Sequence, residues 1–179
     1  MKRVLLAILL MLLLLPVPAR ANDNQFMQEI NSKVTQLASM LGDSYSHEYP
    51  EYRGIQILTN KKEDIIAAAA VFTIEGLAGG NNYTQFMAVF ASLSIESEGH
   101  PRKMSLIDVM AVGGKGIRGI EFKNIIMKQV NRDIVITIPA NEYGPKDAMC
   151  CPSIKSEVQF IFQPNVGGRL KEITRNTKK

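Results

Sequence analysis

Two stretches of the chain carry residue types that can do chemistry. The first, Tyr143–Ser153, reads YGPKDAMCCPS and contains the only two cysteines, side by side. Neighbouring Cα atoms lie about 3.8 Å apart across a trans peptide. Ordinary disulfides prefer roughly 4.4–6.8 Å. A Cys150–Cys151 bond would therefore strain the backbone and be easier to reduce. Three states are open to the pair: a vicinal disulfide acting as a rigid turn, two free thiols, or a metal or redox site. Pro152 holds Cys151 in extended backbone. Side chains of adjacent extended residues point apart, and no Cys/His set is spaced to complete a metal site. A C-x-x-C redox pair is absent. Asp147 is the acid of this stretch.

The second stretch runs Glu75-Gly76-Leu77-Ala78-Gly79-Gly80-Asn81-Asn82-Tyr83. Its glycines permit backbone shapes that other residues resist, and Asn81 and Asn82 tolerate left-handed conformations. It reads either as a structured turn or as a small polar pocket edged by Glu75, Asn82 and Tyr83. Elsewhere the signals are weaker. The histidines, His47 and His100, both fall in expected loops. No serine has a G-x-S-x-G setting. Gly113-Gly114-Lys115-Gly116 lacks the spacing of a phosphate-binding loop. No catalytic residue is nominated, and no metal or cofactor. Asp108 and Glu75, or Asp147, are the acids an enzyme reading would turn to.

Positioning these stretches requires a folded domain. Lys2 and Arg3 precede an unbroken apolar run, Val4 to Leu15, that ends at Pro16 and Pro18. Ala19-Arg20-Ala21 then supplies small residues, the pattern of a secretory signal peptide cleaved after Ala21. The run is short of the roughly 20 residues that span a bilayer. Residues 1–21 are set apart as the signal, and residues 22–179 as one globular domain. Removing Lys2, Arg3 and Arg20 leaves 18 basic against 17 acidic residues, a net +1. Nucleic-acid binding has no support from that balance. The expected partner is a protein or small molecule in the envelope, with no transmembrane segment after cleavage.

The fold class predicted is α+β, an N-terminal helix packed on a mainly antiparallel sheet of six to eight strands. Phe26, Met27, Ile30, Val34, Leu37, Ala38 and Leu41 recur at helical spacing over 25–41, with Asp23 or Asn24 as cap. Residues 43–53 read as an irregular loop. GIQILT is a short strand from Gly54 to Thr59. DIIAAAAVF has helix formers, yet Ile66, Ala68, Ala70, Phe72 and Ile74 share one apolar face and Val71 lies on another. That marks a central strand covered on both sides, whose alanines let a helix approach closely. Residues 83–96 supply its partner, Met104 to Val112 a third strand and Ile120 to Lys128 a fourth. Ile134–Ile138 and Val158–Phe162 alternate as two more. Leu170 and Ile173 finish the fold, and the basic C-terminus reads as a solvated tail.

FTIEGLAGGNNYTQFMAVF and YGPKDAMCCPS together resemble motifs of a group of exported bacterial proteins without assigned function. The similarity spans about Asp64 to Phe162. It carries over to Glu75, Gly79, Gly80, Asn81, Asn82, Tyr83, Asp147, Cys150, Cys151 and Pro152. The resemblance implies a bacterial source, an envelope location and β structure, but no activity. The reading is thus an exported, periplasmic or secreted protein, a non-catalytic binding or interaction module. The alternatives are a hydrolase-type enzyme with acids near the glycine-rich loop, or a thiol redox protein using Cys150–Cys151.

Overall fold

The computed structural model describes residues 19–79, 82–92, 102–164 and 167–176. One helix, α1 (Ala19–Leu41), precedes the strands. These are β1 (His47–Glu48), β2 (Gly54–Asn60), β3 (Ile65–Glu75), β4 (Tyr83–Ser92), β5 (Ser105–Gly114), β6 (Gly119–Ile120), β7 (Ile126–Val130), β8 (Asp133–Glu142), β9 (Ile154–Phe162) and β10 (Lys171–Asn176). The α+β class and the helix packed on antiparallel strands are as the sequence predicts.

The strands form two five-stranded sheets rather than one. In the first, β3, β4 and β5 follow in order, and β1 and β2 share the free edge of β3. In the second, β10, β9 and β8 follow in order, and β6 and β7 share the edge of β8. Every pairing is antiparallel.

Two apolar layers follow from the alternation of side chains along a strand. Ala67, Ala69 and Val71 of β3, with Met87 and Val89 of β4, face Ile134, Ile136, Ile138, Val158, Phe160 and Phe162 of the second sheet. The opposite face of β3 and β4, through Ile66, Ala68, Ala70, Phe72, Ala88 and Phe90, receives Phe26, Ile30, Val34 and Ala38 of the helix. Helix propensity in DIIAAAAVF loses here because both of its faces have an apolar layer to bury against. Burying Ile30, Val34 or Phe26 stabilises by roughly 1.5–3 kcal/mol each. Arg53 adds a polar clamp: its guanidinium bonds Glu48, the Asn31 carbonyl at 3.1 Å and the Thr35 hydroxyl at 2.9 Å.

Several expectations need correction. The helix begins at Ala19, so Asp23 and Asn24 lie inside it rather than capping it. Residues 43–53 are not wholly irregular: His47 and Glu48 pair with β3, and Pro50–Tyr52 forms a 3-10 turn. The strand expected over Ile120–Lys128 is split into β6 and β7. There Glu121 N–H reaches the Pro139 carbonyl and Asn124 N–H folds back on the Glu121 carbonyl. The Phe122 carbonyl lies 1.6 Å from where a Cβ on Gly54 would stand, so only glycine fits beside it. The C-terminal Lys171–Asn176 is a strand paired with β9, not a tail. Residues 1–18, His100 and the end of the second predicted strand lie outside the described residues, as do Gly80 and Asn81.

Candidate functional site

The connection from β3 to β4 turns through left-handed backbone at Gly76 (φ +77°), Ala78 (φ +60°) and Gly79 (φ +83°). Gly76 is required twice over, because a Cβ there would sit 2.5 Å from the Tyr45 carbonyl oxygen. The turn closes on itself. Gly76 N–H donates to the Asn82 carbonyl at 2.7 Å, and the Asn82 side-chain amide donates to the Gly79 carbonyl at 3.2 Å. Asp43, just after the helix, pins it from outside. Its carboxylate accepts the N–H of Ala78 at 2.7 Å and of Tyr45 at 2.9 Å, and the Ser46 hydroxyl at 2.9 Å. Glu75 is exposed at the end of β3 and pairs across to Tyr83.

The connection from β8 to β9 is built by the same device. Asp147 accepts Gly144 N–H at 2.7 Å, Ser153 N–H at 2.8 Å and the Ser153 hydroxyl at 2.8 Å. Cys151 N–H donates to the Ala148 carbonyl at 2.9 Å. Cys150 and Cys151 are joined in a vicinal disulfide, exposed at the apex. Tyr143 accepts Gly116 N–H at 3.0 Å and donates its hydroxyl proton to the Met149 carbonyl.

The two connections meet at one end of the sandwich. The phenol of Tyr83 is pushed above the ordinary range, first by burial and then by the neighbouring Tyr143. The β5–β6 turn lies between them. Lys115 N–H donates to the Tyr83 carbonyl at 3.1 Å, and the Lys115 ammonium lies 3.5 Å from the Asn82 side-chain oxygen. Pro152 Cγ would be 3.3 Å from a Cβ on Gly119. Of the expected site residues, Glu75, Gly79, Asn82, Tyr83, Asp147, Cys150, Cys151 and Pro152 therefore belong to adjoining turns at this end.

Beneath the turns lie polar groups that the sequence reading did not single out. Gln85, buried on β4, donates its amide to the Ile120 carbonyl at 3.0 Å and accepts Ile120 N–H at 2.7 Å. Arg118 is 4% exposed. Its guanidinium forks onto Glu172 at 3.1 and 3.0 Å and lies 3.9 Å from Glu142. A signal for Gln85 existed: it is the polar member of an inward-facing row with Met87 and Val89. Arg118, in a glycine-punctuated turn, had none.

Of the acids in the enzyme alternative, Glu75 and Asp108 do not come together. Glu75 lies opposite Tyr83 and Asp108 opposite Val89. Six strand residues separate those positions, about 20 Å. Asp108 is a tether whose carboxylate accepts the N–H of Leu170 and of Val109, each at 2.8 Å. Among the described residues no group of three or more His, Cys, Asp or Glu side chains is arranged to hold a metal. No protein-family model matches the chain, and neither a curated protein nor a solved structure matches it.

The two aspartates give a pH dependence. Asp43 is held below its usual 3.8, first by the N–H of Tyr45 and then by that of Ala78. Asp147 is held below 3.8 first by the N–H of Gly144 and then by Ser153. A depressed folded-state pKa contributes stability that is complete above the unfolded value and is lost as pH falls through the folded one. Both turns should therefore hold at neutral pH and loosen only below about pH 4. Hydrogen exchange at the Ala78, Gly144 and Ser153 amides reads this directly. Amides whose protection factors stay constant through that window would refute it.

The disulfide closes a ring over a single peptide unit, so it restricts the unfolded chain little. Replacing both cysteines by serine is expected to cost about 1 kcal/mol of global stability. Under denaturing conditions Cys150 and Cys151 should take up an alkylating reagent only after reduction. Intact mass shows which holds, and labelling without reduction would mean free thiols.

Proposed function

We propose that this chain is an exported envelope protein that binds a partner, without catalysis, through the end of the sandwich where the three turns meet. One observation carries the reading. The turns are pinned by side-chain to backbone bonds through Asp43, Asp147 and Tyr143, while Ile117, Met149 and Ile154 stand exposed beside them. Preorganised loops carrying solvent-facing apolar side chains lose little entropy on binding. Export is supported by the signal-like pattern of residues 1–21 and by the likeness of the TIEG…GGNNY and GPKDAMCCPS stretches to exported bacterial proteins. A vicinal disulfide suits an oxidising compartment. Cleavage after Ala21 would trim the first turn of α1 and leave the buried Phe26, Ile30, Val34 and Ala38 in place.

The test places a photo-crosslinking residue at position 149 in cells, with position 159 on the outer face of β9 as control. An adduct, to protein or lipid, that forms at 149 and not at 159 is the expected result. Equal or absent crosslinking at both positions would sink the reading. A second reading, a thiol redox protein, draws on the exposure of Cys150 and Cys151. It requires their thiol status to follow applied redox potential, and an unchanging status excludes it.

A further inference from the structure

The β5–β6 turn and the β8–β9 connection form one continuous tip. Met149 Cε lies 3.4 Å from the position of a Cβ on Gly116, so the methionine rests on the neighbouring turn. Apolar side chains stand exposed on it: Met149 is 64% exposed, Ile117 53% and Ile154 39%, with the disulfide beside them. Isolated exposed aliphatics are ordinary, but a cluster on adjoining rigid turns marks a surface that meets something apolar.

The charges around this cluster are unequal in their commitments. Glu142 lies toward Arg118, and Asp147 is taken up by Gly144 and Ser153. Lys115, Lys146 and Lys155 flank the apolar residues and enter no ion pair among the described residues. Glu75 and Asp43 are exposed acids at this end, and Asp43 is taken up by the N–H groups of Tyr45 and Ala78 and by the Ser46 hydroxyl. Apolar knobs ringed by lysines match an anionic bilayer: the knobs enter the acyl boundary and the long lysine stems hold ammonium groups at phosphate level. A specific protein interface uses roughly 20–30 residues a side, far more than two turns present.

We propose that this tip docks on an anionic phospholipid surface, with Ile117 and Met149 entering the interface and Lys115, Lys146 and Lys155 meeting the phosphates. The proposal rests on the reading of this end as the binding end. The attachment is peripheral, since no helix among the described residues is long and apolar enough to cross a membrane.

The experiment is flotation of the purified protein with vesicles of phosphatidylglycerol and phosphatidylcholine, against phosphatidylcholine alone. All variants carry the same N-terminus as the parent, and circular dichroism confirms that each is folded. The parent should float with the anionic vesicles and lose binding as salt rises. Ile117→Ser with Met149→Ser should weaken binding at least about tenfold. Changing the three lysines together to glutamine should weaken it roughly a hundredfold, about fivefold for each charge. Equal binding to both vesicle types, or tip variants that float like the parent, would overturn the proposal. If the vesicles fail but position 149 still crosslinks specifically to a protein, lipid docking falls and the binding end stands. If both fail, both readings fall.

Discussion

Gln85→Ala is expected to lower the unfolding free energy by about 3–5 kcal/mol. The side-chain amide stands where a strand would: it bonds both the N–H and the carbonyl of Ile120, at 2.7 and 3.0 Å, and so joins β4 of one sheet to β6 of the other. Truncation leaves both backbone groups buried without a partner, at roughly 1–3 kcal/mol each. The lost volume adds a cavity term. The total is a large part of the 5–15 kcal/mol that holds a typical domain together. Gln85→Glu separates hydrogen bonding from packing. An ionised carboxylate cannot donate to the Ile120 carbonyl, whereas a protonated one can donate and accept. Burial would raise its folded pKa above the unfolded value, so its contribution would be present at low pH and lost as pH rises through the folded pKa. Urea unfolding followed by circular dichroism at pH 4 and pH 8 tests both variants. An alanine variant within about 0.5 kcal/mol of the parent would show that water replaces the amide at this junction.

The second large effect belongs to Arg118. Its side chain is 5% accessible, and those of Glu172 and Glu142 are 23% and 21%. Removing one partner of a buried pair strands the other charge, at about 3–5 kcal/mol when burial is complete. Here the carboxylates keep some contact with water, so Arg118→Ala should cost about 2–4 kcal/mol by the same reasoning. Arg118→Lys should recover less than half, because one ammonium cannot reproduce the fork onto Glu172. The decisive measurement is a double-mutant cycle of Arg118→Met with Glu172→Gln. A coupling energy of at least about 1 kcal/mol is expected, little changed by salt. Additive single effects would show that the contact contributes nothing of its own.

Both predictions concern the same end of the molecule. Gln85 fixes β6, and Arg118 fixes the turn before it, so together they set where Ile117 and Lys115 stand. Loss of either should disorder the proposed binding end as well as lower stability. The fold's rigidity and the site's geometry therefore share residues, and tip variants must be chosen outside this pair.

The amino-acid sequence by itself determined the layers. The helical repeat of Phe26, Ile30, Val34 and Ala38 and the doubly apolar β3 each state which faces are buried, because burial is written residue by residue into side-chain periodicity. It also marked both turns that meet at the candidate site, since glycines, asparagines, prolines and adjacent cysteines have local backbone consequences. What only the tertiary structure decided is which turn meets which. Alternation says that a strand has an inner face, but many strand pairings satisfy the same alternation, so one sheet and two were equally consistent with it. The bonds that chose are long-range: Asp43 to Ala78 across 35 residues, Gln85 to Ile120 across 35 and Arg118 to Glu172 across 54. Each depends on the whole fold closing, and no local pattern of charge or polarity around Asp43 or Arg118 encodes its partner.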